Sequence, residues 1–166
     1  MTAASLRPYD ETLLRRAFDV ARRSRAAGDH PFGSVLADGG GNLLMEQGNN
    51  YTSEGGDRTA HAERLLASRA ARAYDLKFLA RCTLYTSAEP CVMCAGAIYW
   101  AGIGRVVYGQ SEKALKDETG AHEENPTLDL PCALVFAAGL RPTEVVGPLL
   151  EDEAAKLQAD FWGARG

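Results

Sequence analysis

At 166 residues, with 46% hydrophobic and 24% charged residues, the chain reads as one soluble domain spanning 1–166, large enough for a continuous core without disulfide staples. A formal net charge of −4 argues against a surface built to neutralise phosphates, so nucleic acid is not an expected partner. No apolar run approaches bilayer length and Met1 to Asp10 holds no signal-peptide core, so no membrane association is expected and the cytoplasm is the expected compartment.

Residues 10–27 carry Leu13, Leu14, Ala17, Phe18 and Ala21 at helical spacing, with Asp10 as N-cap and Gly28 as the stop. Arg15, Arg16, Arg22, Arg23 and Arg25 on the same helix read as a solvated face. Phe32–Asp38 and Leu43–Gly48 flank Gly39-Gly40-Gly41-Asn42, which predicts a β-hairpin with a loop longer than two residues. Asn49 to Thr59 has little apolar content and reads as a loop. A second helix begins near Thr59 or Ala60 and runs to Ala73. That puts His61 and Glu63 in its first turn, where backbone N–H groups are unpaired and the helix dipole favours negative charge.

Cys82–Ser87 is a short strand, and Pro90 is placed to open a third helix. Gly104–Gln110 is another strand, so the helix between the two makes a right-handed parallel crossover. Ser111–Leu130 is polar, with six Asp or Glu against two Lys. Asp129-Leu130-Pro131 caps a helix through Ala138, Thr143–Gly147 is the last strand, and Glu151–Trp162 is a closing amphipathic helix. The sum is an α/β chain of three layers, α/β/α, around a five-stranded mixed sheet.

The chemistry concentrates in two stretches, His61-Ala62-Glu63 and Pro90-Cys91-Val92-Met93-Cys94. Cys91 and Cys94 lie on one face of a helix start, a position that also favours the thiolate. One imidazole and two thiolates suit zinc, and three protein ligands leave the fourth position open for water, which separates a catalytic zinc from a structural one. Glu63 is placed to move protons beside the metal without binding it. A closed zinc knuckle is the competing reading and needs a fourth ligand from His30, His122, Cys82 or Cys132, none of which has suitable local spacing. Cys82 and Cys132 read instead as buried small hydrophobes, and His30 and His122 as surface residues.

His61-Ala62-Glu63 together with Glu89-Pro90-Cys91-Val92-Met93-Cys94-Ala95-Gly96-Ala97 closely resembles the cytidine and nucleobase deaminase superfamily, from about Arg15 to Phe161. The resemblance implies one zinc ion per chain on His61, Cys91 and Cys94, Glu63 as the catalytic proton shuttle, a cytidine-deaminase-like fold and a homodimer. Three branches match in part. Pro31-Phe32-Gly33, Gly48-Asn49-Asn50 and Gly96-Ala97-Ile98-Tyr99-Trp100-Ala101 are similar to bacterial guanine deaminases. The general plan and Asn50 are similar to fungal cytosine deaminases. Glu89–Ala97, Ile103–Gly109 and the C-terminal helix are similar to bacterial tRNA adenosine deaminases, which carry a glycine-rich loop where this chain has Ser111–Asp117.

The substrate expected from this reading is a small free base, guanine-, cytosine- or isocytosine-like, with tRNA adenosine as the alternative. Asn50 is the expected substrate-binding amide, because it offers both a donor and an acceptor to a base edge. Phe32 and Trp100 are candidates to stack on the ring. The guanine branch implies a second acidic residue in proton transfer, for which Asp117, Glu118, Glu123, Glu124 and Asp129 are all available.

Overall fold

Strands with apolar side chains on both faces need cover on both sides, and three of the strands here are of that kind. Residues 5–120 and 122–165 are described by the computed structural model. Five strands, β1 (Gly33–Ala37), β2 (Leu43–Gly48), β3 (Thr83–Ala88), β4 (Arg105–Gln110) and β5 (Glu144–Val146), form one sheet in the order β2-β1-β3-β4-β5. β1 runs antiparallel to β2 and β3, whereas β3, β4 and β5 are mutually parallel along the sheet. The sheet is therefore mixed, as expected.

Side chains alternate across each central strand and sort into two cores. Leu36, Leu84 and Val106 face one side, where they meet α2 (Ala62–Ala73), α4 (Val92–Ala101) and α6 (Cys132–Ala137) through Leu66, Ala67, Ile98 and Phe136. Val35, Tyr85 and Val107 face the other, against Leu14, Ala17 and Phe18 of α1 (Asp10–Ala26) and Ala154 of α7 (Glu151–Ala155). Gly33 is required where α1 crosses β1, because a Cβ there would sit 2.4 Å from the Ala21 backbone nitrogen. Cys82 and Cys132 are free and buried, as expected of small hydrophobes. No helix among the described residues is long and apolar enough to cross a membrane.

The structure departs from the sequence expectation at three places. Two short helices were not anticipated: α3 (Leu76–Leu79), capped by Asp75, and α5 (Glu112–Thr119), capped by the Ser111 hydroxyl, which accepts from the Ala114 N–H at 3.2 Å. The closing helix is broken into α7 and α8 (Phe161–Arg165). Arg25 takes the Leu157 and Ala159 carbonyls at 3.0 and 2.7 Å, and Asp160 turns into the left-handed region at φ 59°, so the helix ladder cannot continue. His30, expected at the surface, is buried. It stacks on Tyr51 at 4.3 Å and bonds Glu124 at 2.8 Å.

The arginines of α1 are engaged with acids. Arg15 pairs with Glu11 and Glu153, Arg16 and Arg23 with Glu46, and Arg22 with Asp19.

Under the α1 core lies a buried ion pair. Arg105 donates to both carboxylate oxygens of Asp10 at 2.8 Å, and the Tyr85 hydroxyl adds a third bond at 2.8 Å. Burial opposes the charge on Asp10, yet these bonds and the Arg7 N–H at 2.7 Å hold its carboxyl below the usual range. A depressed carboxylate contributes stability above its unfolded pKa, near 3.9, that is lost as pH falls through the folded value. Asp10→Ala removes the buried partner of the Arg105 guanidinium, leaving it the more exposed Glu144 at 3.1 Å, and is expected to cost about 3–5 kcal/mol in urea unfolding at neutral pH. A loss below about 1 kcal/mol would show that the network is incidental.

Candidate metal centre and active site

Two helix starts converge on one point. His61 is the N-cap of α2 and Cys91 the N-cap of α4, both with extended backbone (ψ 144° and 171°), so the helices begin slightly later than the sequence pattern indicates. Cys94 follows in the first turn of α4 and is fully buried. α4 ends at Gly102, whose left-handed φ of 88° lets its N–H reach the Ile98 and Tyr99 carbonyls.

His61 Nδ1 lies 3.7 Å from Cys91 Sγ and 3.5 Å from Cys94 Sγ. A tetrahedral zinc with ordinary Zn–S and Zn–N bonds separates S from N by roughly 3.6 Å. The three ligand atoms all lie within 4.8 Å of one another, and among the described residues no fourth His, Cys, Asp or Glu belongs to the group. The donor set thus fits zinc with one position left over, and the closed-knuckle alternative finds no ligand. The two thiols split: a hydrogen bond from Cys94 draws Cys91 down to about 4, with His61 assisting, while the same bond and burial push Cys94 up. Burial disfavours a charged His61, but its bond to Cys91 and the nearby Glu63 carboxylate raise its pKa overall.

Glu63 is buried one turn into α2. Thr86 on β3 donates to its Oε1 at 2.8 Å, and its Oε2 lies 3.7 Å from Cys94 Sγ. Burial, reinforced by Cys91, raises its pKa. A carboxyl so held stands beside the metal position while its second oxygen remains available to hold or release a proton. Thr86 was missed from sequence, although β-strand alternation makes it one of two possible faces.

His61, Glu63 and Cys91 line a cavity of about 220 Å³, roofed by residues 124–128. The expected site residues divide. Phe32 lines this cavity. Asn50 does not: it lies in a separate groove beside α1, with Nδ2 3.5 Å from Glu54. Asn49, just after β2, lines both that groove and the catalytic cavity. Its Oδ1 accepts from the Tyr51 N–H at 2.8 Å, and its Nδ2 is the donor that this bond leaves free. Trp100 is 79% exposed and outside the cavity lining. Six residues beyond Cys94, at about 100° per residue, it comes out on another face of α4.

Of the acidic candidates after β4, only Glu124 lines the cavity, and it is engaged by His30 and by Arg165 at 2.8 Å. Two further carboxylates line it that the sequence did not single out. Glu89 binds backbone, its oxygens accepting from the Glu112 N–H at 3.0 Å and the Cys132 N–H at 2.8 Å. Glu112 is buried in the first turn of α5, and burial together with the charges of Cys91, Glu63 and Glu89 pushes its pKa up to about 9.

The family model described as the cytidine and deoxycytidylate deaminase zinc-binding region matches residues 7–110. A probable cytosine deaminase of Schizosaccharomyces pombe is 39% identical over 162 residues, 98% of either chain. A tRNA-specific adenosine deaminase of Haemophilus influenzae is 40% identical over 113 residues, 68% of this chain and 65% of that one. The crystal structure of guanine deaminase from Bacillus subtilis superposes with a TM-score of 0.58 at 32% identity, covering 90% of this chain and 91% of the other. The chain therefore belongs to the cytidine and deoxycytidylate deaminase family and is a zinc-dependent nucleobase or nucleoside deaminase.

Proposed function

We propose that the substrate is a single free base, an amino-pyrimidine or amino-purine of cytosine, isocytosine or guanine type, deaminated by water. The observation that carries this is the cavity. At about 220 Å³ it falls below the roughly 300–1,000 Å³ of drug-sized ligand sites, which suits one ring system without a sugar-phosphate chain. Its lining carries four acidic side chains, Glu63, Glu89, Glu112 and Glu124, and Arg58 as its one arginine, which offers little to a phosphate chain. An RNA substrate needs basic groups for its phosphates, and four of the five α1 arginines, Arg15, Arg16, Arg22 and Arg23, are already paired with acids.

Zinc on His61, Cys91 and Cys94 supplies a water activated at neutral pH. The protein does the proton work through Glu63. Its Oε2 takes a proton from the attacking water and passes it to the ring nitrogen next to the reacting carbon. The same carboxyl then takes the proton of the newly added hydroxyl and delivers it to the exocyclic amine, so that the carbonyl forms as the C–N bond breaks and ammonia leaves. Thr86 fixes the other oxygen, so the carboxyl cannot swing away between the two transfers. Phe32 offers an apolar face to the ring, and Asn49 Nδ2 a donor to a carbonyl or ring nitrogen.

The decisive assay is ammonia release from cytosine, isocytosine and guanine, run beside inosine formation in tRNA. Turnover of at least one base is expected, falling about 100-fold or more in Glu63→Gln while zinc stays near one per chain. Inosine in tRNA with every base inert would reject the free-base reading, and an undiminished Glu63→Gln would reject the shuttle.

The neighbouring asparagines provide a second check. Losing a hydrogen bond from a buried donor typically weakens binding by about tenfold. Asn49→Ala should raise KM by that factor, and Asn50→Ala should leave KM within about twofold. The opposite order would return the role to Asn50.

We also propose a homodimer through the face that α4 shares with α6. Trp100, Leu134 and Leu140 are 79%, 59% and 100% exposed, and the Leu140 N–H bonds the Tyr99 hydroxyl beside Trp100. Exposed apolar clusters of this kind mark association surfaces. Sedimentation should give a dimer for the wild type and a monomer for Trp100→Glu. A wild-type monomer at micromolar concentration would exclude it.

A further inference from the structure

Four carboxylates line the catalytic cavity, and three of them have hydrogen-bond partners in the protein. Glu63 is held by Thr86, with Cys94 beside it; Glu89 by two backbone N–H groups; Glu124 by His30 and Arg165. Glu112 is the exception. It is 5% exposed, and among the described residues its carboxylate has neither a hydrogen-bond nor an ion-pair partner.

Its position is nevertheless fixed. The Glu112 N–H is bonded to Glu89, two residues from the metal motif, and the preceding Ser111 is held by Glu151 through both its N–H and its hydroxyl, at 2.9 and 2.7 Å. What little of Glu112 is exposed opens onto the cavity, so its carboxylate is an acceptor that the protein leaves unmatched at the cavity wall. Such an acceptor persists where something outside the chain completes it, and here the only space it borders on the cavity side is the one a substrate fills.

The other cavity groups define what is missing. Asn49 Nδ2 and Arg58 present donors, whereas an acceptor free to meet a donor on the ligand is supplied by Glu112. A carboxyl keeps an acceptor oxygen whether or not it is protonated. We propose that Glu112 is a specificity-determining residue, accepting the ring N–H that a free base carries and that a nucleoside has replaced by its glycosidic bond. This rests on the free-base reading of the cavity. It explains how the enzyme selects the base without any group for ribose or phosphate, since a substituted ring nitrogen leaves the buried acceptor unpaired.

The test uses the zinc-loaded full-length protein and measures affinity by calorimetry, independently of turnover. The probes are cytosine against 1-methylcytosine and guanine against 9-methylguanine. The wild type is expected to prefer one unmethylated base by about tenfold or more. Glu112→Leu should weaken that base about tenfold and shrink the preference to within about threefold, while Glu112→Gln, which retains an acceptor, keeps most of both. In steady state the loss should fall on KM more than on kcat. The ligand-free Leu variant should also melt at a higher temperature, because an unpaired buried carboxyl has been removed. An unchanged preference in Glu112→Leu, or a wild type that binds none of the four probes, overturns the inference. A wild type that binds bases with this preference yet releases no ammonia rejects the deaminase reading and upholds Glu112 as the acceptor.

Discussion

Everything at the site depends on α2 and α4 being held side by side with their N-termini level. The two helices meet through small and aliphatic residues, Ala67 and Ala70 from one and Ala95 and Ile98 from the other, all essentially inaccessible to solvent. Alanine at these positions lets the backbones approach closely, and close approach is what brings His61 within 3.5 Å of Cys94. Bulkier residues would separate the helix axes and open the ligand triangle. The same arrangement aims two sets of unpaired N–H groups, each the positive end of a helix dipole, at the point where thiolates must form. Packing and metal chemistry therefore ask the same thing of this pair of helices.

The acidic surroundings then follow a consistent logic. A positive metal centre tolerates nearby carboxylates, and burial raises the pKa of two of them, Glu63 and Glu112. What distinguishes the carboxylates is the use of their oxygens. Glu89 spends both on backbone N–H groups and so ties the starts of α5 and α6 to the Pro90-Cys91 turn. Glu124 pairs with the Arg165 guanidinium and hydrogen-bonds His30, joining the roof segment to the α1–β1 loop and the C-terminal helix. Glu63 keeps one oxygen for chemistry. On the opposite side of the sheet, the Asp10–Arg105–Tyr85 network anchors α1 to β3 and β4 without touching the cavity. The fold thus separates structural charge from chemical charge across the thickness of one sheet.

How much of this the sequence reveals depends on whether a feature is local. The His61, Glu63, Cys91 and Cys94 group is legible because each pair of neighbours sits in one helix turn, where spacing determines direction. The central strands are legible because Val35-Leu36, Leu84-Tyr85 and Val106-Val107 alternate between two cores. Asn49 and Asn50 are a different case: which amide faces the cavity depends on the twist at the end of β2, and a one-residue shift exchanges their environments. Trp100 looked like a stacking residue from its neighbours in the chain, yet the α4 face turned to the cavity is set by Cys94 and leaves Trp100 outside. α5 escaped notice because only Leu115 and a few neighbours of this polar segment are buried, too short a pattern to register as amphipathic.

The roof of the cavity shows why size and charge act together. Residues 124–128 line the cavity, and Glu124 is clasped there from two directions, by an imidazole 6% exposed and by a guanidinium from the last helix. His30 is held neutral by burial and stacks on Tyr51, whose backbone N–H in turn fixes the Asn49 side chain. One chain of contacts therefore links the C-terminal helix to the Asn49 amide at the cavity wall. Loosening the clasp would both enlarge the cavity and release Asn49, so the limit on substrate size and the reading of its edge are two consequences of one packed cluster, and a change in either is bound to disturb the other.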